Sequence, residues 1–443
     1  MICGLWAGIA AAAAPGQDNE KIVQTIDVAP VWSGHPVGFA LLTHHTNQFV
    51  AFYDDQRRMT VGTRTLDSTA WRFTQLSQTI GWDSHNYITM AVDAAGHLHL
   101  SGNMHVHPLV YFRSNRPLDS ESLVAVPAMI GDREKRCTYP KFLRGAKDEL
   151  IFTYRDGSSG NGDQIFNVYD ERARIWKRLM DAPLTYGEGL MNAYFVGPLR
   201  GPDEWFHLCW VWRDTGDCAS NHDLSYARSR DLVHWEKSNG QSLKLPITLK
   251  SAEVVDPVPA GGGIINGNTL IGFDTQGRPI LSYHKFDGRG KTQLYNARLE
   301  NGRWKIYQTS DWDYRWEFSG GGSINFDIRF GPVQPNAAGQ LTQSFYHVKH
   351  GSGVWVLDEK TLKPRQRSKP ASPFVGVPAA RIGGGTGLQT RSANDLGGSD
   401  EPGVRYVLRW ETLPSNRDRP RPGPLPPPSM LRLYKLAAAP ARP

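Results

Sequence analysis

The sequence contains little cysteine. Only four thiols occur in 443 residues, at Cys3, Cys137, Cys209 and Cys218. No two of them form a CxxC pair, so the sequence indicates neither a disulfide framework nor a zinc ribbon. Two imidazoles and two thiols on two predicted strands could still hold a structural metal ion: His207, Cys209, Cys218 and His222.

Long apolar runs are also missing. No uninterrupted apolar stretch reaches about 18 residues, so no transmembrane helix and no membrane association are expected. Residues 1–20 have an apolar centre followed by small residues, like a truncated secretory signal, although the usual Lys/Arg region is absent. The remaining chain, 21–443, is therefore predicted to be secreted or periplasmic.

Runs of a single charge sign are absent as well. The formal net charge is +7 and the sequence pI is about 9.1, which favours an anionic partner. Lys and Arg are dispersed along the chain, however, and this argues against nucleic acid. An acidic polysaccharide or oligosaccharide is the predicted partner of a monomeric protein, and a functionally neutral basic surface is the alternative.

Helix signals are scarce, whereas short alternating runs broken by Gly, Asp, Asn and Pro recur throughout the chain. A unit of two strands around a tight turn, with a third strand ending near a Trp, returns at the spacing typical of propeller blades. The copies lie at 48–71, 85–107, 148–176, 204–235, 271–304, 339–358, and 403–413 with 429–436. These copies predict an all-β protein, a single seven-bladed β-propeller over 21–443. A β-sandwich followed by a second domain is the alternative.

Two local stretches refine this prediction. Ser229-Arg230-Asp231 before Trp235 resembles a worn Asp-box, a turn that recurs in sialidase-like blades. The Pro/Arg-rich stretch RDRPRPGPLPPP, at about 417–428, is predicted to be an extended surface connection before the closing strand.

Residues 85–107, HNYITMAVDAAGHLHLSGNMHVH, predict a hairpin with one histidine at each open end. An Ala-Ala-Gly loop, with Gly in the left-handed conformation, sets the register of the two strands. Continued symmetrically, this register puts His85 opposite His105, where Cβ atoms lie roughly 4.5–5.5 Å apart. The two imidazoles could share a substrate or a metal ion, or hydrogen-bond each other.

Three further hairpins carry a polar pair at one end. Symmetric pairing puts these residues at the same level: Tyr139 with Arg155, Asn192 with Arg213, and Asn268 with His284. A slip of one residue would move a side chain to the other face of the sheet. If the blades radiate about one axis, these ends meet at one mouth of the central channel. The predicted site is then His85, Asn86, His105, Tyr139, Arg155, Asn192, Arg213, Asn268 and His284.

This set lacks a pair of Asp or Glu residues. Most glycoside hydrolases need two carboxylates beside the scissile bond, and a sialidase needs Arg together with Tyr, Glu and Asp. The set suits β-elimination at C4 of a uronic acid instead. A fixed Arg can neutralise the uronate carboxylate bidentately. A His or Tyr can then remove the C5 proton, and such positioned proton transfer contributes about 10²–10⁴-fold.

Each of these residues also has a structural interpretation. A histidine at a strand end is more often solvated or satisfied within a core, and Tyr139 could be an ordinary strand aromatic. Arg213 could stack on a nearby Trp. Arg155 could cap turn carbonyls in DGSSGNGD (156–163), a loop that could itself bind a structural calcium ion. Only the shared position of these residues in their hairpins favours a functional site.

Several longer stretches carry a resemblance: HNYITMAVDAAGHLHLSGNMHVHPLVYFRS, TYPKF, FTYRDGSSGNGD, NHDLSYARSRDLVHWE and YHKFDGRGKTQLYNAR. They resemble the BNR-4-type propellers, which include ulvan lyases and related lyases acting on rhamnosyl-α-1,4-glucuronate ends. The resemblance extends from about residue 30 to 330. It implies a seven-bladed propeller that cleaves rhamnose from C4 of a uronate by elimination, with no required cofactor.

The resemblance also implies roles for single residues. Its members carry two histidines about twenty residues apart, matched by His85 and His105, and a Tyr and an Arg sixteen apart, matched by Tyr139 and Arg155. Arg155 would neutralise the carboxylate, Tyr139 and His105 would transfer protons in an order left open, and His85 would orient the uronate. Arg213 and His284 would be secondary sugar contacts, and Asn86, Asn192 and Asn268 complete the predicted substrate-binding set.

One element of the ulvan lyases is missing. They place a zinc-binding Cys/His cluster shortly after the Arg, and the stretch after Arg155 has neither residue. No metal is therefore predicted at the site, and the absence favours the branch acting on chain ends such as those of gum arabic or arabinogalactan, with ulvan as the alternative. Two other functions stay open. They are an α-L-rhamnosidase on the same scaffold, since a fold does not fix the chemistry, and a non-catalytic glycan-binding propeller.

Overall fold

A computed structural model of the chain describes residues 20–370, 372–374, 377 and 387–438. Within these ranges the regular structure is β-strand, apart from two short 3₁₀ turns at Ser120–Ser122 and Cys218–Ser220. No helix in this part of the chain is long and apolar enough to span a bilayer. The predicted all-β class is thus confirmed, while residues 1–19 of the predicted signal segment lie outside the described ranges.

The chain begins with a long strand whose sheet is completed only near the C-terminal end. It then forms two sheets in succession, each an antiparallel arrangement of four strands. The first strand and the first of these sheets consist of β1 (Glu20–Val31), β2 (Ala40–His44), β3 (Asn47–Tyr53), β4 (Arg58–Thr65) and β5 (Arg72–Thr79). The next strands are β6 (Ile88–Val92), β7 (Leu98–Gly102), β8 (His105–His107), β9 (Tyr111–Ser114) and β10 (Leu123–Ala125). The short β8 does not pair with β7 or β9 and instead pairs with a strand of the following sheet.

An 11-stranded sheet forms the middle of the chain and contains two consecutive antiparallel meanders. The first consists of β11 (Cys137–Arg144), β12 (Leu150–Ser158), β13 (Asn161–Asp170) and β14 (Ile175–Arg178). The second consists of β15 (Asn192–Arg200), β16 (Phe206–Arg213), β17 (Asn221–Ser229), β18 (Trp235–Glu236), β19 (Ser242–Leu243) and β20 (Glu253–Asp256). A single parallel bridge between Gly162 and Asn192 joins the two meanders.

Three sheets complete the described chain, and the last of them contains both ends of the fold. Their strands are β21 (Leu270–Phe273), β22 (Pro279–Phe286), β23 (Thr292–Glu300), β24 (Arg303–Gln308), β25 (Ile328–Phe330), β26 (Gln334–Pro335), β27 (Leu341–His347), β28 (Gly351–Leu357), β29 (Pro364–Ser368), β30 (Gln389–Asn394), β31 (Val404–Thr412) and β32 (Ser429–Ala438). In the last sheet β1 pairs antiparallel with β32. Antiparallel meanders recur at every predicted copy, and the single domain stays a prediction. The count of seven blades stays a prediction.

The tight turns explain why these segments form hairpins in one register. Asp54, Asp93, Asp274 and Asn336 each accept backbone N–H bonds from the residues two and four positions later. Such a side chain replaces backbone acceptors within the turn and therefore favours it over continued strand. The same side-chain device recurs in four sheets, which is the local basis of the sequence repeat.

Apolar and aromatic side chains fill the space between neighbouring sheets. Phe39, near the start of the chain, stacks on Trp410 of β31 with ring centroids 4.4 Å apart. Phe345 and Trp355 stack within one sheet at 4.0 Å. Buried aromatic rings remove much apolar surface from water and prefer particular ring–ring arrangements. Their packing therefore holds successive meanders against one another.

The worn Asp-box has the predicted turn geometry. Asp231 accepts backbone hydrogen bonds from Val233 and His234, and the buried Trp235 donates its indole N–H to the Leu232 carbonyl.

The Pro-rich connection at 417–428 lies at the surface as the sequence predicts, with every residue exposed or partly exposed, and some of its polar groups bind neighbouring loops. We call residues 413–428, between β31 and β32, the strap. The Arg417 guanidinium donates to the carbonyls of Ser319 and Gly321, and the Ser33 hydroxyl donates to the Pro427 carbonyl at 2.8 Å. Proline lacks an N–H and a run of prolines cannot pair as a strand, so this segment crosses over other loops and is held by their polar groups.

Candidate active site

The hairpin that presents the two histidines has the predicted register over its paired length, from Val92–Leu98 out to Ile88–Gly102. Both histidines lie beyond this ladder. His85 lies in a turn before β6, and His105 opens β8, which pairs with β11 beside Thr138. The direct pairing predicted for them is therefore wrong, but the rings still stack with centroids 4.2 Å apart.

Asp83, which the sequence analysis did not select, holds both imidazoles. Its Oδ1 lies 2.6 Å from His85 Nδ1 and its Oδ2 lies 2.5 Å from His105 Nδ1. Burial alone would raise the Asp83 pKa, but the hydrogen bonds from His105 and His85 hold it well below its usual range. An ionised Asp83 accepts a hydrogen bond from each Nδ1, which favours the Nδ1–H tautomer of each ring and leaves both Nε2 atoms free to accept a proton.

Tyr139 lies beside the two histidines because of a β-bulge. Thr138 pairs with Arg155, and the next pair is Lys141 with Thr153, so the predicted pairing of Tyr139 with Arg155 is wrong by one residue. Tyr139 has φ of 58°, which is uncommon for a bulky residue. Bulges re-aim side chains next to active sites, and this one turns the ring to 5.7 Å from His85 and 6.4 Å from His105.

Arg155 lies under Tyr139, with its Cζ 4.9 Å from the ring centroid. The side chain is only 2% exposed and its Nε donates to the Gly157 carbonyl. Neither terminal guanidinium nitrogen has an acceptor of ordinary hydrogen-bond geometry among the described residues, and the group nearest to being one is the Tyr194 hydroxyl, whose pKa the guanidinium lowers. Buried donors are nearly always paired, so this vacant fork matches an anion with two oxygens, above all a carboxylate.

Tyr194 completes this cluster and was missed in the sequence. Its hydroxyl lies 2.6 Å from Ser159 Oγ, and its ring lies between the guanidinium groups of Arg155 and Arg213. Tyr194 follows Asn192 by two positions and therefore lies on the same face of β15, a signal that would have selected it.

The pKa values of the two phenols of the cluster shift in opposite directions. Burial raises the pKa of Tyr139 well above its ordinary value. Burial also acts to raise the pKa of Tyr194, but the positive charges of Arg155 and Arg213 outweigh it and lower that pKa. Tyr139 is therefore a protonated phenol, able to donate, in the free protein.

Asn192 and Arg213 pair directly, as predicted. Asn192 is buried and its Oδ1 accepts from the Gly160 N–H at 2.6 Å, which ties β15 to the loop after Arg155. Arg213 donates through Nε to the Thr215 carbonyl and through Nη1 to Asn266 Oδ1. Arg213 thus contributes positive charge to the cluster while its donors are partly used.

Asn268 and His284 are not brought to this cluster. Their hairpin has the predicted register, from Phe273–Pro279 to Leu270–Ser282, but Asn268 precedes the ladder and donates to the Ile328 carbonyl. His284 is completely buried against three aromatic rings, those of Trp316, Phe318 and Phe330. Burial lowers its pKa to about 3, so it is neutral in the folded protein. A direct sugar contact by His284 does not fit this position.

Asn86 borders the open side of the histidine pair. An open depression of about 240 Å³ lies there, lined by Thr79, Gly81, Asp83, Asn86, Asn103, His105 and His107. The structure thus brings together His85, Asn86, His105, Tyr139, Arg155, Asn192 and Arg213 from the predicted set.

The residues considered for metals are engaged otherwise. His207 bonds the Tyr226 hydroxyl and Asp203, and His222 lies between Asp214 and Asp223, so these imidazoles do not join the nearby thiols. In the predicted calcium loop, the carboxylates of Asp156 and Asp163 both bind Arg133. They do not form an open oxygen cradle for a cation.

The described residues contain one cluster with metal-ligand spacing, Asp83 with His85 and His105. Its N–O distances of 2.5–2.6 Å are those of charge-assisted hydrogen bonds, and a metal held between the same atoms would separate them further. In this structure the three side chains are joined by two hydrogen bonds, and the absence of a metal at the site stays a prediction.

The chain was compared with protein-family models, with curated protein sequences and with solved structures. The chain matches a family model described as BNR repeat-containing family member over residues 47–312. No curated protein sequence matches it significantly. Among solved structures it is similar to the polysaccharide lyase Uly1, at 14% identity and a TM-score of 0.62, over 95% of this chain and 100% of that one.

A second similar structure is that of a PL25 ulvan lyase, at 13% identity and a TM-score of 0.59, over 94% of this chain and 96% of that one. The same enzyme bound to -[GlcA(1-4)Rha3S]- matches at 13% identity and a TM-score of 0.58. At these identities the matches concern the fold, and they confirm the likeness to the lyase group expected from the sequence. Since the family model covers more than half of the chain, this protein belongs to the BNR repeat-containing family.

Proposed function

We propose that this protein is a polysaccharide lyase that cleaves the rhamnosyl-α-1,4-glucuronate linkage by β-elimination at C4 of the uronate. The observation that carries the proposal is the buried, vacant fork of Arg155 next to one phenol and two oriented imidazoles. We further propose a secreted or periplasmic, monomeric, seven-bladed propeller. Its site has no required cofactor and takes an acidic glycan.

Arg155 is the group that makes the C5 proton acidic enough to remove. A uronate carboxylate resists further negative charge, and two parallel N–H bonds from a guanidinium compensate it. Because the fork is only 2% exposed, water competes weakly and the ion pair is stronger than at a surface.

The ionisation of the other groups suggests the order of proton transfer. Asp83 fixes His105 with Nε2 as acceptor, so this nitrogen takes the C5 proton. The electron pair of the C5–H bond forms the C4–C5 double bond as the C4–O bond breaks. Tyr139, a phenol of raised pKa, gives its proton to the departing rhamnose oxygen. His85, stacked on His105, orients the uronate.

One of the similar structures supports an acidic glycan as the substrate class. The PL25 ulvan lyase was solved with a glycan of glucuronate and sulfated rhamnose, which contains the same two sugars as the proposed linkage. We propose unsulfated chain ends, as in gum arabic or arabinogalactan, as the first substrate to test and ulvan as the second.

The test measures the ultraviolet absorbance of the 4,5-unsaturated uronate during incubation with gum arabic and, separately, with ulvan. We expect absorbance to rise with one of them, and Tyr139→Phe to lower kcat by about 10²–10⁴-fold, the range of positioned proton transfer. Arg155→Lys should fall comparably because Lys lacks the bidentate fork. Tyr307→Phe on β24, remote from the cluster, is the matched control and should retain activity.

Two results would contradict the proposal. Free rhamnose without absorbance would indicate an α-L-rhamnosidase, in which water rather than elimination breaks the bond. Binding of both polymers with no product, unchanged in Tyr139→Phe, would indicate a glycan-binding protein.

A further inference from the structure

The strap places one carboxylate directly behind the histidine pair. Asp418 accepts hydrogen bonds from the Ser84 N–H at 3.0 Å, the Ser323 N–H at 2.6 Å and the Ser323 hydroxyl at 2.8 Å. Its Oδ1 also lies 3.1 Å from His35 Nε2. Three segments that are distant in sequence therefore converge on this one side chain, which is only 10% exposed.

Asp418 extends the Asp83 arrangement into an alternating row of imidazoles and carboxylates. The row runs His105, Asp83, His85, Asp418, His35. Consecutive members are 2.5, 2.6, 3.6 and 3.1 Å apart at their nearest N and O atoms. His85 Nδ1 thus faces two carboxylates, one at hydrogen-bond distance and one slightly farther away.

The charge of Asp418 is maintained by its surroundings. Burial acts to raise its pKa, but the hydrogen bond from His35, the proximity of His85 and the Ser84 N–H hold the pKa well below its usual range. Asp83 opposes this by like-charge repulsion. Two ionised carboxylates on one side of His85 favour a proton on Nδ1 and leave Nε2 pointing away from both.

The backbone at this point also departs from ordinary conformations. Arg417 and Asp418 are consecutive residues with φ of 55°, a region that residues other than Gly visit rarely. Backbone strain of this kind persists only where the surrounding contacts determine it, and it gathers at functional sites. Here the contacts are the four hydrogen bonds to Asp418 and those of Arg417 to the loop at 319–321.

We infer that Asp418 is a positioning residue of the active site. It acts through His85 and Asp83, fixing the tautomer and ring orientation of the stacked histidine pair from a segment remote in sequence. The inference rests on the proposed lyase function for its kinetic consequence but not for its geometry. The ionisable groups that face His85 are Asp83, His105, Tyr139 and Asp418, and those that face Asp418 are His35, His85 and Asp83.

The test compares Asp418→Asn with Asp400→Asn. Asp400 pairs with His45 at 3.0 Å on an exposed part of the chain, so its variant removes an Asp–His contact away from the site. The substrate is whichever of gum arabic and ulvan the enzyme cleaves. We expect Asp418→Asn to lower kcat about tenfold to a hundredfold, with KM nearly unchanged. This is a part of the about 10²–10⁴-fold available from positioned proton transfer. The pH profile of kcat should shift, and Asp418→Glu should recover part of the loss. Asp400→Asn should match the wild type in all three respects.

A second readout does not depend on activity. Two-bond ¹H–¹⁵N NMR spectra of histidine-labelled protein report which ring nitrogen carries the proton, with His85→Gln identifying the His85 signals. We expect Nδ1–H in the wild type and a mixture of tautomers in Asp418→Asn. If the wild type has no lyase activity but the tautomer changes, the proposed function fails and the positioning role stands.

The inference is overturned if Asp418→Asn keeps the wild-type tautomer, kcat and pH profile. Should that variant fail to fold, as judged by its circular dichroism, Ser323→Ala replaces it, because it removes a hydrogen bond to Asp418 without changing charge. Loss of kcat with an unchanged KM then supports the positioning role, and wild-type kinetics reject it.

Discussion

At the scale of single residues, the site is defined by groups that the fold leaves unsatisfied. Arg155 is buried with two donors vacant, and an unmet buried donor costs about 1–3 kcal/mol. A bound carboxylate would satisfy both donors, so this position favours an anion with two oxygens. This arrangement distinguishes Arg155 from Arg213, whose donors already have carbonyl and amide partners.

His284 illustrates the opposite case, a titratable residue used for packing. Its pKa of about 3 lies far below that of a histidine in an unfolded chain, about 6.5. Below about pH 6.5 the unfolded state therefore binds one more proton than the folded state. The free energy of unfolding then falls as the pH falls, by about 1.4 kcal/mol per unit, until the pH nears the folded pKa.

We expect His284→Leu to remove this pH dependence. Between about pH 7 and about pH 5, the wild type should lose about 2 kcal/mol more unfolding free energy than the variant. Urea unfolding at the two pH values measures the difference. The control is His234→Leu, since the His234 side chain is 87% exposed and free of such burial. Equal losses in wild type and His284→Leu would show that His284 is protonated within the fold.

At the scale of elements, the residues in the turns made the pairing register of the hairpins predictable. Local signals fix hairpin register, and the direct pairing of Asn192 with Arg213 followed from the sequence alone. The bulge at Tyr139 shifted the neighbouring hairpin by one residue, because a bulge is set by what the strand packs against as well as by its sequence. Tyr87, from the preceding hairpin, holds that bulge by donating to the Pro140 carbonyl.

Contacts between segments that are distant in sequence could not be predicted from local patterns. Asp83 and Asp418 were not selected, because nothing local distinguishes either from an ordinary turn aspartate. Their role depends on loops that are distant in sequence and meet only in the folded chain. His284 was selected on its register, but the rings that bury it come from residues 316–330.

The turn aspartates yield a test of element stability. Asp274 is buried, accepts two backbone N–H bonds and pairs with the Arg278 guanidinium at 2.7 Å. Asn336 makes the same two backbone bonds on an exposed turn. We expect Asp274→Ala to cost about 3 kcal/mol, because it leaves partly buried backbone donors and the Arg278 guanidinium unpaired, and Asn336→Ala to cost about 1 kcal/mol, because water replaces the lost bonds. Urea unfolding measures both. Equal costs would mean that burial of the turn contributes nothing.

At the scale of the whole molecule, the first and last described strands share one sheet. β1 pairs with β32 from Glu20–Ala438 to Val31–Ser429, and Arg405 binds Glu20 bidentately at 2.6 Å. The Ser33 carbonyl also accepts bonds from the Thr412 hydroxyl and the Leu413 N–H. The strap that carries Asp418 begins at this junction, so the position of Asp418 depends on the pairing of β1 with β32.

Deletion of β1 should therefore unfold the protein. It removes the buried side chains Ile26, Val28 and Val31, each worth about 1.5–3 kcal/mol, and exposes the edge of β32. That loss is comparable to the total of about 5–15 kcal/mol by which proteins are stable. Thermal unfolding followed by circular dichroism measures it, and Glu20→Ala is the control, since removal of the partly exposed ion pair costs only about 1 kcal/mol. A truncated chain that melts as the full chain does, and retains the activity of the site, would mean that the sheets hold together without β1. In that case the contacts of the strap with residues 319–323, Ser33, His35 and Ser84 would be sufficient to hold it in place.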